Sequence, residues 1–405
     1  MEMDALTDAL LAEPSTERAA PLVDLDRFVY DRAPLFVYWE ATRACDLACQ
    51  HCRADAIARR HPLELTTTEA QRLFDDIGTF AEDGGRTPHI VVTGGDPLHR
   101  PDLFELIAYG RDNGLTFSVT PAGTARLNES HVRRFRDLGV SSVALSLDGS
   151  NPERHDAFRG VDGSFQWTID GARMVVEQGL PLQINTMVTA TTLDDLSNIA
   201  QLVYELDVTR WALFFLIATG RGRQLREITP AESERFLNGL VDLVDDSDVW
   251  FAIKTTEAHH FRRIYHQRQR ARGLSDGEIL ETPVGRGYGV RDGNGVVFVS
   301  HTGEVYPSGF LPVNAGNVRT ASLVDLYRHG DIFQAVRDVD RLKGKCGVCP
   351  FRALCGGSRA RAYAATGDPL AADPLCPYRP PAWGANGATV GPTASHDASS
   401  EGELR

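Results

Sequence analysis

The sequence predicts an α/β fold, a partial (β/α)6 TIM-like barrel followed by a small cysteine-bearing module. Three observations carry this prediction. Six short runs rich in β-branched and aromatic residues alternate with helix-length amphipathic stretches between residues 35 and 217. Parallel strands need crossover connections, so that rhythm specifies a parallel sheet. The glycine-bearing and polar motifs fall at the C-terminal ends of the apolar runs, where the βα loops of such a barrel gather. Finally, the seven cysteines cluster as three behind the first strand and four beyond the last β/α unit.

Taken in order, residues 1–33 form an N-terminal extension, read as an amphipathic helix and a proline-containing stretch too short for a domain. Residues 34–228 form the barrel. Its first strand covers 35–39 and delivers the first cysteine loop. Thr66-Thr-Thr-Glu69 reads as a capping box opening a helix over 70–80. Further strands fall at 89–93, 116–120, 142–146, 182–186 and 211–217. Residues 229–284 read as a charged helical bridge. In the module at 285–380, Gly293, Gly295 and Gly303 mark a β-hairpin ahead of four cysteines. Residues 381–405 are rich in Gly, Ala, Ser and Thr without periodicity and read as a disordered tail.

At 405 residues and 42% hydrophobic content the chain can bury a large core and support two domains. No apolar run approaches the roughly 18 residues of a membrane span, and the start is acidic where a signal peptide is basic. Both point to a cytoplasmic enzyme. A net charge of −13 argues against a nucleic-acid partner, because phosphate binding needs a dense basic face. Clustered cysteines in a long chain suit metal ligation in a reducing compartment better than a disulfide framework.

Cys45, Cys49 and Cys52 stand as C-x3-C-x2-C. A 4Fe–4S cluster normally takes four thiolates, so three leave one iron open to a substrate or cofactor. A zinc knuckle with His51 as fourth ligand, or three buried thiols, is the plainer alternative. The second group, Cys346-x2-Cys349-x5-Cys355-x20-Cys376, fits either a fully ligated cluster or a zinc ribbon. After the second strand comes Thr93-Gly-Gly-Asp-Pro-Leu98, whose glycines allow close backbone approach and unusual dihedrals; taken alone it is also a turn.

The cysteine loop and this glycine motif, at the ends of neighbouring strands, together resemble the radical S-adenosylmethionine (SAM) superfamily. The resemblance covers residues 35–378. It implies a 4Fe–4S cluster whose open iron chelates the methionyl amino and carboxylate groups of SAM, and one-electron cleavage to a 5'-deoxyadenosyl radical. By the same resemblance His51 contacts adenine, and Gly94, Gly95, Asp96 and Pro97 bind the methionyl end, with Asp96 where the family often has Glu. Ser146 and Asp148 would contact ribose or carboxylate, Arg159 would pair with that carboxylate through its guanidinium fork, and Asn185 would meet the ribose. The loop 218–222 would approach adenine. A strand-end cap or surface ion pair is the alternative for Asp148, Arg159 and Asn185.

The run from Cys346 to Gly357 resembles the auxiliary-cluster segment of SPASM-type radical enzymes. Full SPASM modules bind two auxiliary clusters. Here Ser308 follows Pro307 where they tend to have cysteine, and Arg359 follows Ser358 where they continue Cys-Gly-Gly-x-Cys. The resemblance therefore implies one auxiliary 4Fe–4S cluster, on Cys346, Cys349, Cys355 and Cys376, serving electron transfer.

A single auxiliary cluster and the run Cys-His-Cys-Arg resemble the haem and haem d1 biosynthesis branch, which implies a tetrapyrrole substrate and oxidative loss of propionate carboxylates. A maturase of a ribosomally made peptide is the second reading; the 33 residues before the barrel are too few for a leader-peptide module. Either chemistry implies an electron donor such as ferredoxin or flavodoxin. A non-catalytic iron–sulfur or zinc protein would need neither Gly94-Gly95-Asp96-Pro97 nor Ser146-Leu-Asp-Gly149. His259, His260 and His266 fall on the predicted bridge, where an exposed helix face explains them more simply than contact with a porphyrin iron.

Overall fold

A computed structural model describes residues 28–246 and 248–383. The helix and the structureless tail expected at the two ends lie outside the described residues, apart from 28–33 and 381–383. All six expected strands form: β1 (Phe36–Thr42), β2 (His89–Gly94), β3 (Thr116–Val119), β4 (Ser142–Ser146), β5 (Leu182–Val188) and β6 (Arg210–Phe215). They pair in chain order and in parallel. The capping box opens the helix Thr67–Gly78: Thr66 Oγ1 accepts from the Glu69 N–H at 3.2 Å, and Glu69 Oε2 accepts from the Thr66 N–H at 2.8 Å. That helix packs Phe74 edge-on against Trp39 of β1, with centroids 5.4 Å apart.

Two features were not foreseen. The segment read as a helical bridge holds the helices Pro230–Asp245, His260–Ala271 and Asp276–Glu281, but also a seventh parallel strand, β7 (Ala252–Thr256), beside β6. The expected hairpin is present as β8 (Val296–Val299) and β9 (Glu304–Tyr306), yet β8 also pairs in parallel with β1. With β10 (Gly316–Asn317) the result is one ten-stranded sheet ordered β10-β9-β8-β1-β2-β3-β4-β5-β6-β7. Among the described residues no pairing joins β7 to β10, so the barrel remains partial.

Burial follows the sheet. One continuous cluster of buried side chains runs from Phe28 through Trp39, Phe117, Leu145 and Trp211 to Leu375. The helix Arg359–Thr366 fastens the cysteine module to the strand ends, where Arg361 donates to the Leu216 carbonyl at 2.7 Å, to the Glu257 carbonyl and to Glu227 Oε2 at 2.7 Å. No helix among the described residues is long and apolar enough to cross a membrane.

Candidate active site and second cysteine site

The first cysteine loop begins where the β1–β2 ladder slips between Glu40 and Thr42. Three neighbours fix its path. From the end of the helix Pro152–Arg159, the Arg159 and Phe158 carbonyls accept from the N–H groups of Ala48 (3.1 Å) and Gln50 (2.9 Å). Gly94 and Gly95 press against the start of the loop: the Gly95 N–H donates to the Thr42 carbonyl at 2.8 Å and the Asp96 N–H to the Ala44 carbonyl at 2.7 Å. A Cβ on Gly95 would lie 2.3 Å from the Ala44 oxygen, and Gly94 sits at φ +147°, so both positions require glycine. From the loop after β6, Arg221 donates through Nε to the Cys49 carbonyl at 2.8 Å and through its own N–H to the Cys52 carbonyl at 3.1 Å.

Cys45, Cys49 and Cys52 line one open cleft together with His51, Gly94, Gly95, Ser146, Asp148, Arg159 and Asn185. Its cavity volume is about 190 Å³, and it is open to solvent. Asp96 and Pro97 stand behind the wall: the Asp96 carboxylate caps the following turn at Leu98 N (3.0 Å) and accepts from Thr124 Oγ1 (3.4 Å). The carboxylate thereby braces the turn that follows the glycines.

Asp148 and Arg159 are neither exposed nor idle. They form a buried ion pair at 2.5 Å, Asp148 also accepts from the Met187 N–H at 2.6 Å, and Arg159 Nη1 donates to Cys49 Sγ at 3.5 Å. The alternative of a surface ion pair is thus excluded by burial. Burial works to raise the Asp148 carboxyl, but the charge of Arg159, with His51 and His155, holds it below the ordinary carboxylate value. His51 stacks on Phe158 with centroids 4.9 Å apart, and burial first of all pushes its pKa down to about 4, so the ring is neutral at pH 7. Asn185 Oδ1 accepts from Gln183 Nε2 at 2.7 Å on the cleft wall. The loop 218–222 clamps the cysteine loop: a Cβ on Gly220 would stand 2.4 Å from the Cys52 oxygen.

Several residues escaped the sequence reading. Arg53 lines the cleft, pairs with buried Glu40 at 3.0 Å and stacks 4.5 Å over Phe298, while His301 Nδ1 meets the other Glu40 oxygen at 2.7 Å. Phe214 and Phe310 complete the wall. The position of Arg53 directly after Cys52 was the one available signal. Ser308 Oγ accepts from the Phe310 N–H at 3.2 Å and so holds that ring's turn.

Cys346, Cys349, Cys355 and Cys376 gather in a second hollow with Arg263, Lys345 and Tyr378. Gly356 and Gly357 are both left-handed at φ +67°, and a Cβ on Gly357 would come within 2.9 Å of Asp373 Cβ and 3.3 Å of Cys346 Sγ. Burial raises the thiols of Cys355, Cys349 (to about 12) and Cys376 (to about 11), and likewise Cys45 to about 12 in the first site; a bound cation would reverse this. All seven thiols are free. Among the described residues no three His, Cys, Asp or Glu side chains converge on a point that one ion could occupy. The thiols line the two hollows.

The three bridge histidines correct an expectation. None is on an exposed face: His259 Nδ1 meets the Gly357 carbonyl at 3.0 Å, His260 Nε2 meets Ser233 Oγ at 2.9 Å, and His266 lies 3.3 Å from Asp276. Their partners tie them into the packing around the second hollow, and none lines the first cleft.

Comparison with known proteins agrees with this geometry. The model of the Radical SAM superfamily matches residues 39–203. The chain is 38% identical over 348 residues to the AdoMet-dependent heme synthase of Methanosarcina barkeri, covering 86% of this chain and 97% of that protein. It is 26% identical to the PqqA peptide cyclase of Methylocella silvestris, over 86% and 88% of the two chains. Among solved structures, Streptococcus suis SuiB bound to S-adenosylmethionine superposes with a TM-score of 0.67 at 17% identity, covering 86% of this chain and 78% of that one, a likeness of fold.

Proposed function

Because the chain belongs to the radical SAM superfamily and is an enzyme of that family, we propose that it acts in haem biosynthesis, removing propionate carboxylates oxidatively from an iron-bound tetrapyrrole. The observation that carries the substrate assignment is the 38% identity to an AdoMet-dependent heme synthase across 97% of that relative.

Family membership implies a 4Fe–4S cluster and SAM. The donor set fits: Cys45, Cys49 and Cys52 are free thiols on one cleft wall, soft ligands of the kind iron–sulfur clusters take. When bound there, the cluster supplies the electron that turns SAM into a hydrogen-abstracting 5'-deoxyadenosyl radical. Gly94 and Gly95 pack backbone to backbone against the cysteine loop and so present their own backbone to the cleft, where the methionyl group would bind. His51, neutral and stacked on Phe158, offers adenine a flat uncharged face, while Ser146 and Asn185 offer polar atoms to the ribose. Asp148 and Arg159 hold the wall behind Cys49, and Pro97 with Asp96 fixes the glycine turn. Phe214 and Phe310 keep water from the radical's path.

Loss of a β-hydrogen from a propionate leaves a carbon radical; departure of carbon dioxide then forms a vinyl group and releases one electron. An acceptor must take that electron. Cys346, Cys349, Cys355 and Cys376 would hold an auxiliary 4Fe–4S cluster suited to do so, and ferredoxin or flavodoxin would supply the first site. We assign residues 34–228 to the radical core, 229–284 to the bridge and 285–380 to the auxiliary module, working in the reducing cytoplasm without nucleic acid.

Anaerobic reconstitution with iron and sulfide, followed by mass spectrometry of a reaction with SAM, a strong reductant and iron coproporphyrin, tests this. Deoxyadenosine together with porphyrin that has lost carboxylates is the expected result. Deoxyadenosine with unchanged porphyrin would refute the substrate and favour peptide modification, the alternative that the similarity to a PqqA peptide cyclase supports. Neither product from cluster-loaded protein would refute both.

A further inference from the structure

Two guanidinium groups reach sulfurs of the second cysteine hollow, and two more are buried near it. Arg359 is fully buried and Arg291 is 2% exposed. Arg359 donates to the carbonyls of Gly357 (3.3 Å), Pro369 (3.0 Å) and Ala371 (2.7 Å), and its Nη2 points at Cys346 Sγ, 3.9 Å away. Arg291 donates to the carbonyls of Gly289 (3.0 Å), Val336 (3.3 Å) and Arg337 (2.9 Å), and Arg262 to those of Leu354 and Val290. Arg263 Nη2 reaches Cys376 Sγ at 3.9 Å; it also pairs with Glu234 at 2.6 Å.

The nearby buried carboxylates take their hydrogen bonds from neutral groups, not from these guanidinium groups. Asp292 Oδ2 accepts from the backbone N–H groups of Arg359 and Ala360, Asp373 from those of Ser358 and Leu375, and Glu257 from the Ser358 hydroxyl. A buried cation without a counter-charge is strongly unfavourable. Asp292 and Asp368 supply part of that counter-charge, and the thiolates with whatever they hold are the partners that Arg359 and Arg263 meet directly at the hollow. Arg359 also occupies the position where the sequence departs from the two-cluster pattern.

On the reading that these cysteines hold an auxiliary cluster, we propose that Arg359, seconded by Arg263, raises the cluster's reduction potential by directing buried N–H donors and positive charge at the Cys346 and Cys376 sulfurs. Hydrogen bonds to ligand sulfurs and local net charge are the protein's means of setting such potentials. A fixed cation favours the more negative, reduced state. The site is thereby poised to accept the electron released when a carbon radical sheds carbon dioxide, rather than to donate one. Arg359 is a tuning residue: it touches neither substrate nor SAM.

The test uses the full-length chain carrying Cys45→Ala, Cys49→Ala and Cys52→Ala, reconstituted anaerobically so that only the C-terminal site can load, with EPR-monitored redox titration as readout. Adding Arg359→Met should make the one-electron reduction at least tenfold less favourable, a potential lower by about 59 mV, whereas Arg359→Lys should fall between. If Arg359→Met fails to load, Arg263→Gln decides, with a smaller shift of the same sign expected. Loaded variants with unchanged potentials would overturn the tuning role while leaving the cluster assignment intact. Absence of iron and sulfide from the parent triple variant would overturn the cluster and the tuning role together.

Discussion

Gly95→Ala is the sharpest perturbation of the active-site scaffold. The new methyl would lie 2.3 Å from the Ala44 oxygen and 2.7 Å from the Arg43 oxygen, about 1 Å short of ordinary contact, and both obstacles are backbone. The cysteine loop must therefore retreat from β2, loosening the hydrogen bonds from Gly95 N to Thr42 and from Asp96 N to Ala44. Overpacking costs about 1–3 kcal/mol, and each weakened hydrogen bond up to about 1 kcal/mol more. Several degrees of lost thermal stability should follow. Displacement by about 1 Å at a reacting centre also costs on the order of a hundredfold in rate. The assay pairs thermal unfolding with deoxyadenosine formation in reconstituted protein. Gly78→Ala serves as the reference, since nothing lies within 4 Å of its Cβ and a helical alanine stabilises by up to about 1 kcal/mol. A Gly95→Ala enzyme that cleaves SAM at the parent rate with an unchanged Tm would refute the reasoning.

Other perturbations separate the two sites. Cys45→Ala should abolish deoxyadenosine formation, whereas Cys349→Ala should impair substrate turnover more than uncoupled SAM cleavage; equal losses in folded protein would contradict the division of labour. Arg221→Ala removes the side-chain tie to the Cys49 carbonyl and should lower iron retention per chain during gel filtration, without a comparable loss at the C-terminal site. Burial holds His260 at a pKa of about 3 in the folded protein, against 6.5 for the free side chain. Between those values the unfolded chain binds the extra proton, so stability should fall with falling pH, by at most about 1.4 kcal/mol per unit from this group. Urea unfolding between pH 7 and 5 measures the slope, and His260→Gln should flatten it.

The six barrel strands could be read because buried parallel strands are continuous apolar runs punctuated by turns. β7 was missed: it is an edge strand with Lys254 at its centre, none of its residues is fully buried, and the apolar run 249–253 that leads into it is short and set in an otherwise helical bridge. Nor does any local pattern announce that β8 will lie beside β1, since that pairing joins residues about 260 positions apart. The thiols and the Gly94-Gly95 turn were legible through their spacing. The Asp148–Arg159 pair was legible as residues but not as a pair, because its geometry depends on the helix Pro152–Arg159 folding back over the cysteine loop. Burial of His259, His260 and His266 arises from Gly357, Ser233 and Asp276, which the charged bridge sequence alone does not bring near.

The parallel seam between β1 and β8 has a consequence for biosynthesis. β1 emerges early from the ribosome, and one of its edges is satisfied by β2 within some fifty residues. Its other edge, along Phe36–Trp39, waits for Val296–Val299. At about 5–20 residues per second that interval lasts roughly tens of seconds, during which an unpaired apolar edge can template wrong pairings. Slow translation, low temperature and early chaperone capture should therefore raise the yield of correctly folded chains, and C-terminal truncation should produce aggregates rather than a smaller enzyme.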